Sequence, residues 1–165
     1  MRTLAFIIVA IGVAIGAVMP APRKSGAAPT PTPVASALPA EPAEPPRETV
    51  LERSPAGHFL AVADVNRMPV RFVVDTGADM VALTLEDAER AGVRFDRAAF
   101  DVVGQGAGGP VRGQAVTIDE ITLDGKRATG VRAVVLEGAD VSLLGHSYLR
   151  ELASVNIQGD EMRLR

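Results

Sequence analysis

Ten of the 12 prolines in this 165-residue sequence lie between Pro20 and Pro55. A proline ring removes an amide donor and fixes φ, so a stretch this rich in proline sustains neither a helix interior nor a sheet ladder. Between the prolines stand Ala, Thr, Ser and Glu, as in Pro29-Thr30-Pro31-Thr32-Pro33. Such a segment has too little apolar side chain to offset the entropy of ordering it, and residues 23–56 read as an extended, disordered spacer. The chain is thereby cut in three. Residues 1–22 stand ahead of the spacer, and one compact domain has to be built from residues 57–165.

The leading segment is almost unbroken apolar sequence from Leu4 to Val18, with Arg2 before it and Pro20, Arg23 and Lys24 after it. With its flanks it approaches the roughly 20 residues a bilayer-spanning helix needs. A basic start, an apolar core and small residues near Ala17 also describe a signal peptide. The core is longer than most of that kind, and Ala17-Val18-Met19 is a poor small-x-small cleavage site. Residues 1–22 therefore read as an uncleaved signal-anchor that spans the membrane, with a cleaved signal peptide as the alternative. Arg2 and the amino terminus compete with Arg23 and Lys24 in setting the orientation. The expectation is an exported domain, periplasmic or extracytoplasmic, held off the membrane by the spacer.

Several function classes drop out early. The formal net charge of −3 leaves no basic footprint for nucleic acid. There are no cysteines, hence neither a disulfide framework nor a thiolate metal site. His58 and His146 supply the only imidazoles and lie far apart, so a solvated or capping role suits each better than metal ligation. No metal and no cofactor is expected.

Within 57–165 the strand signals dominate. Phe59 to Val65 and Val70 to Val74 read as a hairpin turning at Asn66-Arg67. Val81-Ala82-Leu83 is a short strand, and Thr84 with Asp87 three positions on predicts a capped helix over Leu85 to Ala91, ended by Gly92. Phe100 to Val103 and Val111 to Leu123 read as strands around a glycine tip. Asp124-Gly125 predicts a tight hairpin into Ala128 to Leu136. Ser142-Leu143-Leu144-Gly145 is an apolar run closed by glycine, leading into a short helix from His146 to Leu152. Ser154 to Ile157 and Met162 to Arg165 form a last hairpin around Gln158-Gly159-Asp160. Many short strands with one or two short helices predict an all-β fold, a small closed barrel or sandwich. A domain of about 110 residues is small enough to gain from association.

The glycine tip, Gly104 to Gly109, fits G-x-G-x-x-G letter for letter. A dinucleotide site would need a helix to start there, so that its amino terminus could hold the pyrophosphate. The sequence that follows, Pro110-Val111-Arg112-Gly113-Gln114-Ala115-Val116, is strand-like instead. A mobile hairpin tip is the better reading.

The remaining feature is Val70-Arg71-Phe72-Val73-Val74-Asp75-Thr76-Gly77-Ala78-Asp79, an apolar strand that stops at a carboxylate, a hydroxyl and a glycine. Taken alone, Asp75 could cap an Asx-type turn, bind a cation or act as a general base.

The order of features resembles the retropepsin-like aspartic proteases, including the bacterial membrane-linked, single-domain type. An apolar strand enters Asp75-Thr76-Gly77-Ala78, a glycine-rich flap follows at Gly104 to Gly109, then a long hairpin, then Leu143-Leu144-Gly145 before a short helix. The resemblance covers Phe59 to Arg165. It implies an aspartic endopeptidase in which Asp75, Thr76 and Gly77 form the catalytic loop. Ala78, Asp79 and the flap residues Gly106, Ala107 and Gly108 would meet a protein or peptide substrate. Leu143, Leu144 and Gly145 would support the catalytic loop from beneath. Two carboxylates must share a proton in that chemistry, and this chain has one Asp-Thr-Gly, so the resemblance implies a homodimer with the site on its axis. A catalytically silent dimerisation or peptide-binding module is the alternative. Two departures stand out. His146 occupies the place where viral members carry an arginine that braces the loop, and the carboxy-terminal hairpin is not the short interdigitating strand of those enzymes.

Overall fold

The computed structural model describes residues 45–106 and 109–165. The expected membrane span at residues 1–22, the spacer as far as residue 44, and the flap residues Ala107 and Gly108 lie outside the described residues. Strand structure begins earlier than the expected domain start at Gly57. Residues Thr49–Glu52 form β1, inside the stretch read as spacer. Arg53, just after it, is saturated with partners: its guanidinium reaches Asp160 Oδ1, Gly57 O and Gly159 O, and its cationic carbon lies 4.4 Å from the centre of the Phe59 ring. The boundary therefore moves to the amino-terminal side of Thr49.

The hairpin read from the sequence is formed by β2 (Leu60–Val65) and β3 (Met68–Val74). Its turn residues Asn66 and Arg67 both have positive φ, 50° and 70°, as a two-residue turn matched to strand twist requires. Arg67 is an unusual choice there, and Asn66 holds the turn for it. The Asn66 main-chain N–H donates to Glu120 O, its Nδ2 donates to Ala91 O, and its Oδ1 accepts from the Glu120 N–H. Along β3 the period of two puts Val70, Phe72 and Val74 into the core and leaves Arg71, Val73 and then Asp75 on the opposite face.

β4 (Val81–Thr84) runs directly into helix α1 (Leu85–Arg90). Thr84 caps this helix as its sequence signal predicts, its hydroxyl accepting from the Asp87 N–H at 3.0 Å. A 3-10 turn at Arg97–Ala99 leads to β5 (Asp101–Gly106), then β6 (Gly109–Leu123) and β7 (Lys126–Leu136). The β6–β7 turn is Asp124-Gly125, again with both residues at positive φ. β8 (Ser142–Leu144) and the one-turn helix α2 (His146–Leu149) follow, and then β9 (Val155–Gln158) and β10 (Glu161–Leu164). Helix α2 is shorter than the expected His146 to Leu152. Its end tightens into i−3 bonds, Glu151 N–H to Tyr148 O and Leu152 N–H to Leu149 O.

The main sheet runs β2-β3-β8-β4-β7-β6, and β2 pairs again with β6, closing a six-stranded barrel. Its strands bury Phe72, Leu83, Ile118, Ile121 and Leu144 against Tyr148, Met162 and Leu164. Each such side chain contributes about 1.5–3 kcal/mol of apolar burial. Strand β8 is threaded between β3, to which it is parallel, and β4, to which it is antiparallel. Outside the barrel, a three-stranded antiparallel sheet of order β1-β10-β9 packs Met162 and Leu164 into the same core.

The glycine-rich tip is more regular than expected. Strand pairing continues through it, with Gly104 opposite Val111, Gln105 opposite Pro110 and Gly106 opposite Gly109. A register shift between Val102 and Gly104 makes Val103 the bulged residue. Val103 and Val111 pack on a second apolar cluster built on Ala82, Val134 and Leu136, together with Met80, Ala139 and Leu143. The hairpin root is thus seated on the barrel, on the face where β3 presents Asp75.

Candidate active site

Asp75 is the first residue past β3. Its N–H donates to Leu144 O at 3.1 Å, which continues the parallel β3–β8 ladder by one rung. The chain then turns back sharply. The Gly77 N–H donates to Asp75 Oδ1 at 2.8 Å, and the Ala78 N–H reaches Asp75 O at 3.3 Å. The Asx-type turn weighed from the sequence is therefore real, and it occupies one carboxylate oxygen. The other oxygen has no hydrogen-bond partner among the described residues. A Cβ at Gly77 would lie 3.3 Å from Asp75 Oδ1, so only glycine gives the amide this approach without pressing on the carboxylate.

The other residues singled out from the sequence fall on both sides of this loop. Thr76, Gly77 and Asp79 are exposed, Asp75 is half-buried, and Ala78 is 1 % exposed. Beneath lie Leu143, Leu144 and Gly145. Leu144 supplies the carbonyl that receives the Asp75 amide. Leu143 pairs with Val73 on one side and Ala82 on the other. Gly145 passes so close under the loop that a Cβ there would lie 2.2 Å from Met80 O and 2.8 Å from Ala78 O. His146 is exposed and ties in through its backbone, its N–H donating to Ala78 O at 2.8 Å. Gly106 ends β5 across from Gly109, while Ala107 and Gly108 lie outside the described residues.

Two buried serines escaped the sequence reading. Ser147 Oγ accepts from the Val81 N–H at 2.9 Å and so holds the far end of the loop. Ser142 Oγ accepts from the Thr84 N–H at 3.1 Å and donates to Asp87 Oδ2 at 2.6 Å. The capping box expected at Thr84 and Asp87 is thus closed through a third residue. Both serines flank Leu-Leu-Gly in an apolar setting, and a serine buried there must find partners. That was the available signal.

Asp75 lines neither of two surface grooves of about 250 and 600 Å³. The carboxylate sits instead on an open loop. Among the described residues no group of three His, Cys, Asp or Glu side chains is placed to hold a metal ion.

The family model for the gag-polyprotein putative aspartyl protease matches residues 61–151, from within β2 to just past α2. The chain belongs to the retropepsin-like aspartic protease family. A solved retropepsin-like aspartic protease from Rickettsia conorii superposes with a TM-score of 0.60 at 32% identity, over 72% of this chain and 89% of that one. Among curated proteins, an uncharacterised protein from the cobV 5′ region of Sinorhizobium sp. is 36% identical over 121 residues. An uncharacterised protein of Rickettsia prowazekii (strain Madrid E) is 31% identical over 113 residues. These alignments take in 72% and 68% of this chain. The chain spans about half the length of these curated relatives, 52% and 49%.

Proposed function

We propose that this retropepsin-like chain is an aspartic endopeptidase whose active site forms when two copies bring their Asp75 carboxylates together. The observation that carries the proposal is the state of Asp75. One oxygen is fixed by the Gly77 amide, the other has no partner among the described residues, and the chain has a single Asp-Thr-Gly. Two carboxylates held close share one proton, because like charges at that distance resist double ionisation. The ionised member takes a proton from a water whose oxygen attacks the peptide carbonyl carbon. The protonated member hydrogen-bonds to the carbonyl oxygen as it gains charge. When the C–N bond breaks, the amine nitrogen leaves with a proton from the pair, which returns to sharing one.

The neighbours then have roles. Thr76 would bond across the dimer axis, Gly77 orients the carboxylate, and Ala78 keeps the floor low. Asp79 would meet the substrate main chain. The tip residues Gly106, Ala107 and Gly108 would close over an extended peptide bound as an added strand. Leu143, Leu144 and Gly145 hold the loop up from below. The apolar cluster beside the loop, with Met80, Ala82 and Leu143, favours apolar side chains next to the cleaved bond. We also propose that residues 1–22 anchor the protein in a membrane with the protease domain on the exported side. Fractionation of the full chain with and without those residues tests this.

The decisive experiment follows cleavage of a peptide library by the full chain and by Asp75→Asn, alone and mixed. Asp75→Asn should be inactive, and mixing it with wild type should poison activity in proportion to mixed dimers. Cleavage that survives Asp75→Asn rejects the mechanism. A strict monomer that still cleaves rejects the shared site. Peptide binding without cleavage by the wild type favours the silent module.

A further inference from the structure

Three consecutive residues near the start of the described chain are bound by the body, Arg47 and Thr49 at the β6–β7 turn and Glu48 by Arg163 and Arg165. The Arg47 N–H donates to Asp124 O at 2.9 Å, and the Arg47 carbonyl accepts from Lys126 Nζ. The Glu48 carboxylate takes Arg165 Nη2 at 2.8 Å and Arg163 Nη1 at 3.3 Å. The Thr49 hydroxyl donates to Asp124 Oδ2 and accepts from Lys126 Nζ at 2.8 Å. Lys126 and Thr49 are only 6 % and 7 % exposed. A lysine is rarely taken so far from water unless its donors are used.

Lys126 also faces the other way. Its main-chain carbonyl accepts the hydroxyl of the fully buried Tyr148 at 2.7 Å. Tyr148 belongs to α2, and the residues just ahead of it serve the Asp75 loop: Leu144 O, Gly145, the His146 N–H and Ser147 Oγ. A helix of one turn is not stable by itself, so its placement has to come from tertiary contacts. Behind it lies the groove of about 250 Å³, lined in part by Pro46, Lys126, Tyr148 and Leu152. Beside that groove the Tyr148 hydroxyl is bonded directly to the Lys126 backbone.

We infer that Lys126 and Tyr148 are positioning residues: through α2, the clasp on Arg47, Glu48 and Thr49 sets the placement of the Asp75 loop. The segment that joins the spacer to the barrel is then part of the apparatus that holds the catalytic carboxylate. This inference rests on the proposed function only where activity is measured. The clasp itself has a readout that needs no turnover.

The test compares full-length wild type with Tyr148→Phe, Thr49→Val and Thr49→Ser by amide hydrogen exchange. The informative amides are Asp75, Ala78, Val81 and His146, with the β6–β7 ladder as reference. Tyr148→Phe and Thr49→Val should speed exchange at those four amides by about tenfold while the ladder amides stay within about twofold, the scale of one lost hydrogen bond acting locally. Thr49→Ser keeps the hydroxyl and should restore protection. Uniform acceleration of all amides, or acceleration that spares Asp75 and His146, overturns the inference by reducing the clasp to general stability. If the wild type cleaves peptides, the same two variants should lose kcat with KM nearly unchanged. If it cleaves nothing, the proposed activity fails, and the exchange experiment still decides the clasp.

Discussion

A methyl group added at Gly145 would meet Met80 O at 2.2 Å, Met80 C at 2.7 Å and Ala78 O at 2.8 Å. All three are backbone atoms of the loop that follows Asp75, so none can rotate aside. Gly145→Ala should destabilise the fold by about 3 kcal/mol, read from the urea midpoint at unchanged slope. A loss under about 1 kcal/mol would mean that β8 can drop away from the loop freely. Gly77→Ala offers a useful contrast, because its nearest obstacle is the Asp75 side chain at 3.3 Å. Its stability should change by no more than about 1 kcal/mol, while peptide cleavage falls by at least about tenfold as the carboxylate is pushed off its amide. Asp75, Gly77 and Gly145 were legible in the sequence because each sits where an apolar run stops on a residue with special chemistry. Ser142 and Ser147 were not. Their partners Asp87 and Val81 lie 55 and 66 positions away, and nothing local distinguishes a serine that will be buried from one left in water.

At the level of elements, the Thr84–Ser142–Asp87 relay joins the start of α1 to β8. Removing the cap alone by Thr84→Ala should lose about 1 kcal/mol. Ser142→Ala leaves the Thr84 amide and one Asp87 oxygen without their partner in a half-buried place, so it should lose more, about 2 kcal/mol. Equal losses in chemical denaturation would show the relay to be idle. The root of the β5–β6 hairpin depends on Arg112, whose guanidinium donates to Phe100 O at 2.9 Å and pairs with Glu137 at 3.2 Å. That exposed ion pair is worth little. The bond to the Phe100 carbonyl ties β5 to β6 below the bulge at Val103. Arg112→Met should therefore raise KM for peptides more than it lowers the unfolding midpoint, as steady-state kinetics would read. The β2–β3 and β6–β7 hairpins were readable from alternation and from the Asn66-Arg67 and Asp124-Gly125 turns, whereas the threading of β8 between β3 and β4 was not. Strand length inside the glycine-rich hairpin was not. Glycine carries no pattern, and pairing there is imposed by Val103 and Val111 packing on a cluster drawn from β4, β7 and β8.

For the molecule as a whole, Tyr148 is the only tyrosine in the sequence, and burial pushes its hydroxyl well above the ordinary value of 10. The unfolded chain releases that proton near its ordinary value, whereas the native state retains it. The stabilisation is thus complete below pH 10 and is lost as pH rises beyond it, where the native state binds more protons. Tyrosinate absorbance should appear together with unfolding. Tyr148→Phe should lack that part of the alkaline fall in stability. A tyrosine that titrates near pH 10 in folded protein would contradict its burial. A small closed barrel or a sandwich was expected from the count of short strands, and the main sheet closes as a barrel. The start of the fold was not foreseen, because Thr49-Val50-Leu51-Glu52 stands amid prolines and its partner β10 is more than 100 residues away in sequence. That pairing has a mechanical side. β1 meets β10 with Thr49 opposite Leu164 at the end nearest the spacer. A pull from the amino-terminal direction would peel the strand one pair at a time, the weakest way to load a ladder. The contacts of Arg47 and Glu48 lie ahead of that first rung, and the hydroxyl contacts of Thr49 are on it. Any tension carried along residues 1–44 reaches the contacts of Arg47 and Glu48 before it reaches the sheet.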